Sequence, residues 1–133
     1  MAKDYKINEG NMIGAIPAEF DANTNLQQKV LKASEDVKKG QVVVISGDMT
    51  VAPSTEASAK VLGVAMFDAK ADEPVSVETE GLFSMTASGA ITAGDKVESA
   101  ANGTVAKASG ANTVGIAINS ATNGGEVFVK LSI

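Results

Sequence analysis

The sequence predicts an all-β fold: a small barrel or sandwich of about ten short strands, built from two similar repeats and preceded by an extended N-terminal arm. Three observations predict it. Short apolar stretches with a period of two recur between clusters of Gly, Asn, Asp and Ser. The chain repeats itself. Helix signals are almost missing, with only Ser54–Lys60 able to form a single turn, capped by Ser54 or Thr55.

The repeat is read from four blocks in the same order. Ala33-Ser34-Glu35-Asp36-Val37-Lys38-Lys39-Gly40 aligns with Ala87-Ser88-Gly89-Ala90-Ile91-Thr92-Ala93-Gly94, and Thr50-Val51-Ala52 with Thr104-Val105-Ala106, both at an offset of 54 residues. At an offset of 52, Leu62-Gly63-Val64-Ala65-Met66 meets Val114-Gly115-Ile116-Ala117-Ile118, and Val75-Ser76-Val77 meets Val127-Phe128-Val129. The organisation that follows is an arm over 1–25 and a single β domain over 26–133, with repeat one at 26–80 and repeat two at 81–133.

Each element has a local justification. In Glu126-Val127-Phe128-Val129-Lys130-Leu131 the alternation puts Val127, Val129 and Leu131 on one strand face, and Val75 and Val77 do the same in repeat one. Strict alternation also groups Leu62, Val64 and Met66 opposite Gly63 and Ala65, and Val114, Ile116 and Ile118 opposite Gly115 and Ala117. The small face of each such strand would admit a neighbouring strand or subunit at close range. Gly40 and Gly94 each precede a strand, where a turn requires positive φ. The apolar content is mainly Ala and Val, so a thin core is expected, and oligomerisation would add buried area to it.

Composition removes most chemistry. The 133 residues contain no cysteine, histidine or tryptophan and one tyrosine, and all 11 basic residues are lysines. Disulfides, thiolate metal sites, the commonest general base and bidentate guanidinium contacts are therefore unavailable. Residues 1–40 carry six lysines and six acids. Residues 41–133 carry five lysines and ten acids, so the formal charge of −5 resides there. An acidic body disfavours nucleic acid and anionic membranes, and no apolar run approaches a membrane span. The first 25 residues lack the apolar core of a signal peptide, so synthesis and retention in the cytoplasm until lysis are expected. The sequon Asn102-Gly103-Thr104 reads as a turn.

Ser46, Ser84 and Thr86 are candidate nucleophiles without a histidine to activate them, and Lys60 or Lys96 could serve as base only with a lowered pKa. The carboxylate pairs Asp72–Glu73 and Glu78–Glu80 suit a solvated strand edge better than acid–base work. Asp68, Asp72 and Glu73 lack the spacing of a calcium loop, with Lys70 in their midst. No catalytic, cofactor-binding or metal-ligating residue is assigned. A lipoyl or biotinyl carrier would present a modifiable lysine at a hairpin tip. Lys70 is roughly placed for this, but its flanking residues are unlike those settings.

The strings Val61-Leu-Gly-Val-Ala-Met66, Pro74-Val-Ser-Val-Glu-Thr-Glu-Gly81, Ile91-Thr-Ala-Gly-Asp-Lys-Val97, Gly103-Thr-Val-Ala106, Val114-Gly-Ile-Ala117 and Gly125-Glu-Val-Phe-Val-Lys-Leu131 resemble the capsid decoration (cement) proteins of tailed phages. The resemblance covers 26–133. It implies a small β-barrel-like virion protein, often trimeric, that binds the major capsid protein on the outer face of the expanded head and staples neighbouring subunits. The alternative is a host-surface or carbohydrate-binding module of a head fibre or tail, which the lack of aromatic platforms disfavours.

The arm departs from that pattern. Met12, Ile13, Ile16, Pro17 and Phe20 carry apolar surface with neither helical nor strand period, which suits addition to a partner's sheet edge. These five are the candidate capsid-binding residues. The same segment could instead fold back as an extra strand over its own barrel.

Overall fold

A computed structural model describes residues 30–133. The candidate residues Met12, Ile13, Ile16, Pro17 and Phe20, and with them the arm over 1–25, lie outside the described residues.

Among the described residues ten strands follow one another: β1 (Lys32–Ala33), β2 (Val42–Gly47), β3 (Thr50–Pro53), β4 (Val61–Ala65), β5 (Val77–Glu78), β6 (Glu80–Thr86), β7 (Lys96–Ser99), β8 (Val105–Lys107), β9 (Thr113–Ala117) and β10 (Glu126–Ser132). A 3-10 turn, Ala101–Gly103, joins β7 to β8. The first five strands form sheet one, in the order β1-β3-β2-β4-β5, and the last five form sheet two, in the order β8-β7-β9-β10-β6. All pairs are antiparallel except β1 with β3. Both sheets curl back on themselves. In sheet one Ala33 pairs with Val51 while Lys32 bridges to Pro74, and in sheet two Ala87 bridges to Val105 while Thr86 pairs with Glu126.

The sheets share one hydrogen-bond plan. Gly40 N–H donates to the Ala65 carbonyl at 2.8 Å, and Gly94 N–H to the Ala117 carbonyl at 2.8 Å. Val37 exchanges backbone bonds with Ala69 as Ile91 does with Ala121. Gly40 and Gly94 have φ of 88° and 92°, the positive values expected of these turns. The cores match as well. Ala33, Val37, Val43, Val51, Ala65, Ala69 and Val75 form the small core of sheet one. Their counterparts Ala87, Ile91, Val97, Val105, Ala117, Ala121 and Val127 lie in the larger core around sheet two. Buried apolar side chains are mostly Val and Ala, so opposing strands must come close to fill the interior.

Close approach explains Gly63 and Gly115. A Cβ on Gly63 would run into the Glu78 carbonyl oxygen and lie 2.8 Å from Val77 Cγ1. One on Gly115 would meet the Lys130 carbonyl oxygen and lie 2.9 Å from Val129 Cγ1. The small face therefore admits the neighbouring strand of its own sheet.

Strict alternation fails in these two strands, for a shared reason. Val43 pairs with Gly63 but Val44 with Val61, and Val97 pairs with Gly115 but Glu98 with Thr113. Leu62 and Val114 are thus the extra residues of equivalent β-bulges, and an extra residue flips the faces beyond it. Val64 and Met66 pack in the larger core while Leu62 packs on the smaller one. In repeat two Val114 is buried, whereas Ile116 and Ile118 are exposed.

Three local expectations are corrected in the same way. Glu78 and Glu80 do not share a strand: Glu78 ends β5 in sheet one and Glu80 begins β6 in sheet two. Val75 stands before β5 and not within it, although it is buried as expected. Ser54–Lys60 forms no helical turn, because its polar groups are bound elsewhere. Ser54 Oγ donates to the Ala100 carbonyl at 2.7 Å, and Ser99 Oγ donates to the Glu56 carbonyl at 2.8 Å while accepting from Ser58 N–H at 3.1 Å. Both serines are fully buried, and together they sew this loop of repeat one to the end of β7 in repeat two.

Four substitutions test this packing by thermal or urea unfolding. Gly115→Ala meets backbone that cannot give way and should cost about 3 kcal/mol or more. Gly94→Ala has open space around it and should lose only the conformational term of about 1–2 kcal/mol. Ser99→Ala removes the partner of the part-buried Glu56 carbonyl and Ser58 N–H and should cost about 1 kcal/mol. Ser109→Ala, on the surface, should change stability by less than about 0.5 kcal/mol.

Candidate interaction surfaces

The chemically active residue types are spread out and committed to local structure. Ser46 shares a hydroxyl hydrogen bond with Ser34 at 2.9 Å, and Ser84 Oγ donates to the Glu126 carboxylate. Thr86 sits on β6, paired with Glu126. The carboxylates around Lys70 cap backbone: Asp68 accepts from Lys39 N–H, Asp36 from Ala71 N–H and Glu73 from Lys70 N–H, at 2.8, 3.1 and 2.8 Å. Lys70 thus occupies a carboxylate-capped turn. Among the described residues no group of three or more acidic side chains could hold a metal ion. No helix there is long and apolar enough to cross a membrane.

A polar cleft of about 440 Å³ lies along the seam of the two repeats, lined by Lys38, Lys39, Gln41, Ser84, Asn102 and Glu126 among others. Its central amide is occupied, since Gln41 Nε2 donates to the Asn102 carbonyl at 3.0 Å. Below it the seam is apolar. Val42, Val61 and Val64 of sheet one, with Val44 and Met66, pack against Met85, Phe83 and Leu131 of sheet two.

The larger surface feature is the outer face of sheet two. Directly paired residues of neighbouring strands share a face, so Leu82, Lys130, Ile116 and Lys96 form one row across β6, β10, β9 and β7. Phe128, opposite Ser84, heads the next row, and Ile118 N–H donates to its carbonyl at 2.8 Å. Leu82, Ile118, Ile116 and Phe128 are 60, 52, 42 and 41% exposed. Four neighbouring large apolar side chains in water are a mark of an interaction surface. The bulge at Val114 turns Ile116 and Ile118 outward, and alternation alone does not reveal it.

A model of the family described as "Phage cement protein" matches residues 22–133. The chain belongs to the phage cement protein family. The match spans both repeats and begins four residues inside the segment read as arm. The fold is also similar to a solved structure, the head fibre gp8.5 N base of bacteriophage phi29, at a TM-score of 0.60 and 19% identity. That likeness covers 77% of this chain and 91% of the other. A comparison with curated protein sequences finds no match. This cement-family chain is a structural protein of a phage head, and the family points away from an enzyme.

Proposed function

We propose that this protein is a decoration protein, which binds the major capsid protein on the outside of the phage head and stabilises the expanded shell as a homotrimer. The observation that carries the reading is the phage cement family match over both repeats. The chemistry agrees with it. A protein with no histidine or cysteine, whose serines and carboxylates serve local structure, is equipped to act by binding. Binding suffices, because a ligand that attaches only to the expanded lattice stabilises that state by mass action. No cofactor or metal is required. The protein is made in the host cytoplasm and resides on the capsid surface.

The arm is the proposed attachment element, through Met12, Ile13, Ile16, Pro17 and Phe20. Its charge is balanced and its apolar residues have no period that would serve the barrels. Ordering such a segment on the shell costs about 1–2 kcal/mol per residue, which burial of its four large apolar side chains must offset. The alternative, a host-surface or carbohydrate-binding module, finds some support in the fold likeness to a head fibre base. The absence of tryptophan leaves it the weaker reading.

Deleting residues 2–20 should leave the melting temperature nearly unchanged while abolishing retention on expanded, undecorated heads in a sedimentation assay. A truncated protein that binds heads as well as the full chain, or that melts far lower, would show that the arm is ordinary core.

A further inference from the structure

We propose that Asn102–Gly103 is a latent deamidation site, held unreactive by two repeat-one residues, Gln41 and Ser54, that reach it across the seam. The chain holds the Asn–Gly pair twice, at Asn102–Gly103 and at Asn123–Gly124. This pair is especially open to the reaction, because glycine has no side chain to obstruct ring closure. The Gly103 backbone nitrogen would give its proton to hydroxide and attack Cγ of the Asn102 side-chain amide. The bond from Cγ to the amide nitrogen then breaks, and that nitrogen takes a proton from water and leaves as ammonia. Water opens the resulting cyclic imide at either carbonyl, giving aspartate or isoaspartate. Isoaspartate routes the backbone through the side-chain carbon, so the seam would be altered for good.

At Asn102 the nucleophile is guarded from the other repeat. Gly103 N–H donates to the carbonyl of fully buried Ser54 at 3.0 Å, so removing its proton leaves a buried acceptor without a partner. The Asn102 carbonyl accepts from Gln41 Nε2 at 3.0 Å. The Gln41 side chain also lies against Gly103, so closely that a Cβ on Gly103 would sit 2.5 Å from Gln41 Cβ. Asn102 has φ of 58° and ψ of 35°. Bringing the Gly103 nitrogen onto Cγ requires rotation about the Asn102 Cα–C bond, which breaks both hydrogen bonds together. Asn102 is exposed while Gly103 is buried, so water reaches the side-chain amide but not the nitrogen that would attack it. Asn123–Gly124 is held by repeat two alone. Gly124 N–H donates to the Ala87 carbonyl and Asn123 Oδ1 accepts from Gly89 N–H, both at 2.8 Å. Reaction at Asn102 therefore waits on local parting of the seam, whereas reaction at Asn123 does not.

The test follows both sites by peptide mapping and mass spectrometry during incubation at mildly alkaline pH. It uses the full chain and the variant Gln41→Ala, with fold checked by circular dichroism. In the folded wild type Asn102 should deamidate many-fold more slowly than in the urea-unfolded chain. In folded Gln41→Ala the Asn102 rate should rise several-fold while the Asn123 rate keeps its wild-type value. A folded wild type whose Asn102 reacts as fast as in the unfolded chain overturns the proposal. So does a variant whose Asn102 rate is unchanged, or whose two sites accelerate equally, the mark of general loosening. If Gln41→Ala does not fold, amide hydrogen exchange of the wild type decides. Gly103 N–H should exchange many-fold more slowly than in the unfolded chain, and an equal rate overturns the guard.

Discussion

The packing of sheet one's outer face against sheet two sets the character of the whole molecule. Val42, Val44, Val61, Val64 and Met66 lie against Phe83, Met85 and Leu131, and the Ser54 and Ser99 hydroxyls close the seam beside them. Two repeats that share the order of four strands, the bulge and the small core thereby become unequal. Sheet one buries Val42, Val61 and Val64 on one face and Val43 and Val51 on the other, whereas sheet two leaves Leu82, Ile116, Ile118 and Phe128 exposed on one of its faces. Each small core holds only seven equivalent side chains, mostly Val and Ala, too few to sustain a barrel of that size alone. Joined across the seam, they make one body over Leu31–Ile133.

That inequality connects fold to role. In this head structural protein the serines and carboxylates fasten loops: Ser99 to Glu56, Asp68 to Lys39, Glu73 to Lys70. What remains for function is surface. The duplication yields two versions of one sheet face, the first used internally and the second turned outward with Leu82, Ile116, Ile118 and Phe128 upon it. A rigid body of this kind presents such a face without an ordering cost, while the N-terminal segment supplies apolar residues of a different, aperiodic sort.

Much of the fold was legible because it was written twice. The offsets of 54 and 52 residues, the turn glycines Gly40 and Gly94, and the alternation over Val127, Val129 and Leu131 lead to the observed strands. Legibility ended where one extra residue intervenes. The bulges at Leu62 and Val114 reverse the faces that strict alternation assigns, since a period of two carries no memory of an inserted residue. The loop Ser54–Lys60 was misread as a helical turn for a related reason. Ser and Glu at a helix start look the same as Ser54 and Glu56 reaching across to Ala100 and Ser99, more than forty residues away.

By itself the sequence determined the all-β class, the duplication, the turn positions and the lack of histidine and cysteine, because these depend on local periodicity and on which residue types are present. Only the tertiary structure decided which apolar residues are core and which are surface. Val64 and Ile116 occupy the same place in the same strand of the same fold, yet one is 1% and the other 42% exposed. The difference lies in what is packed on top, and that is settled by how the two repeats meet in space.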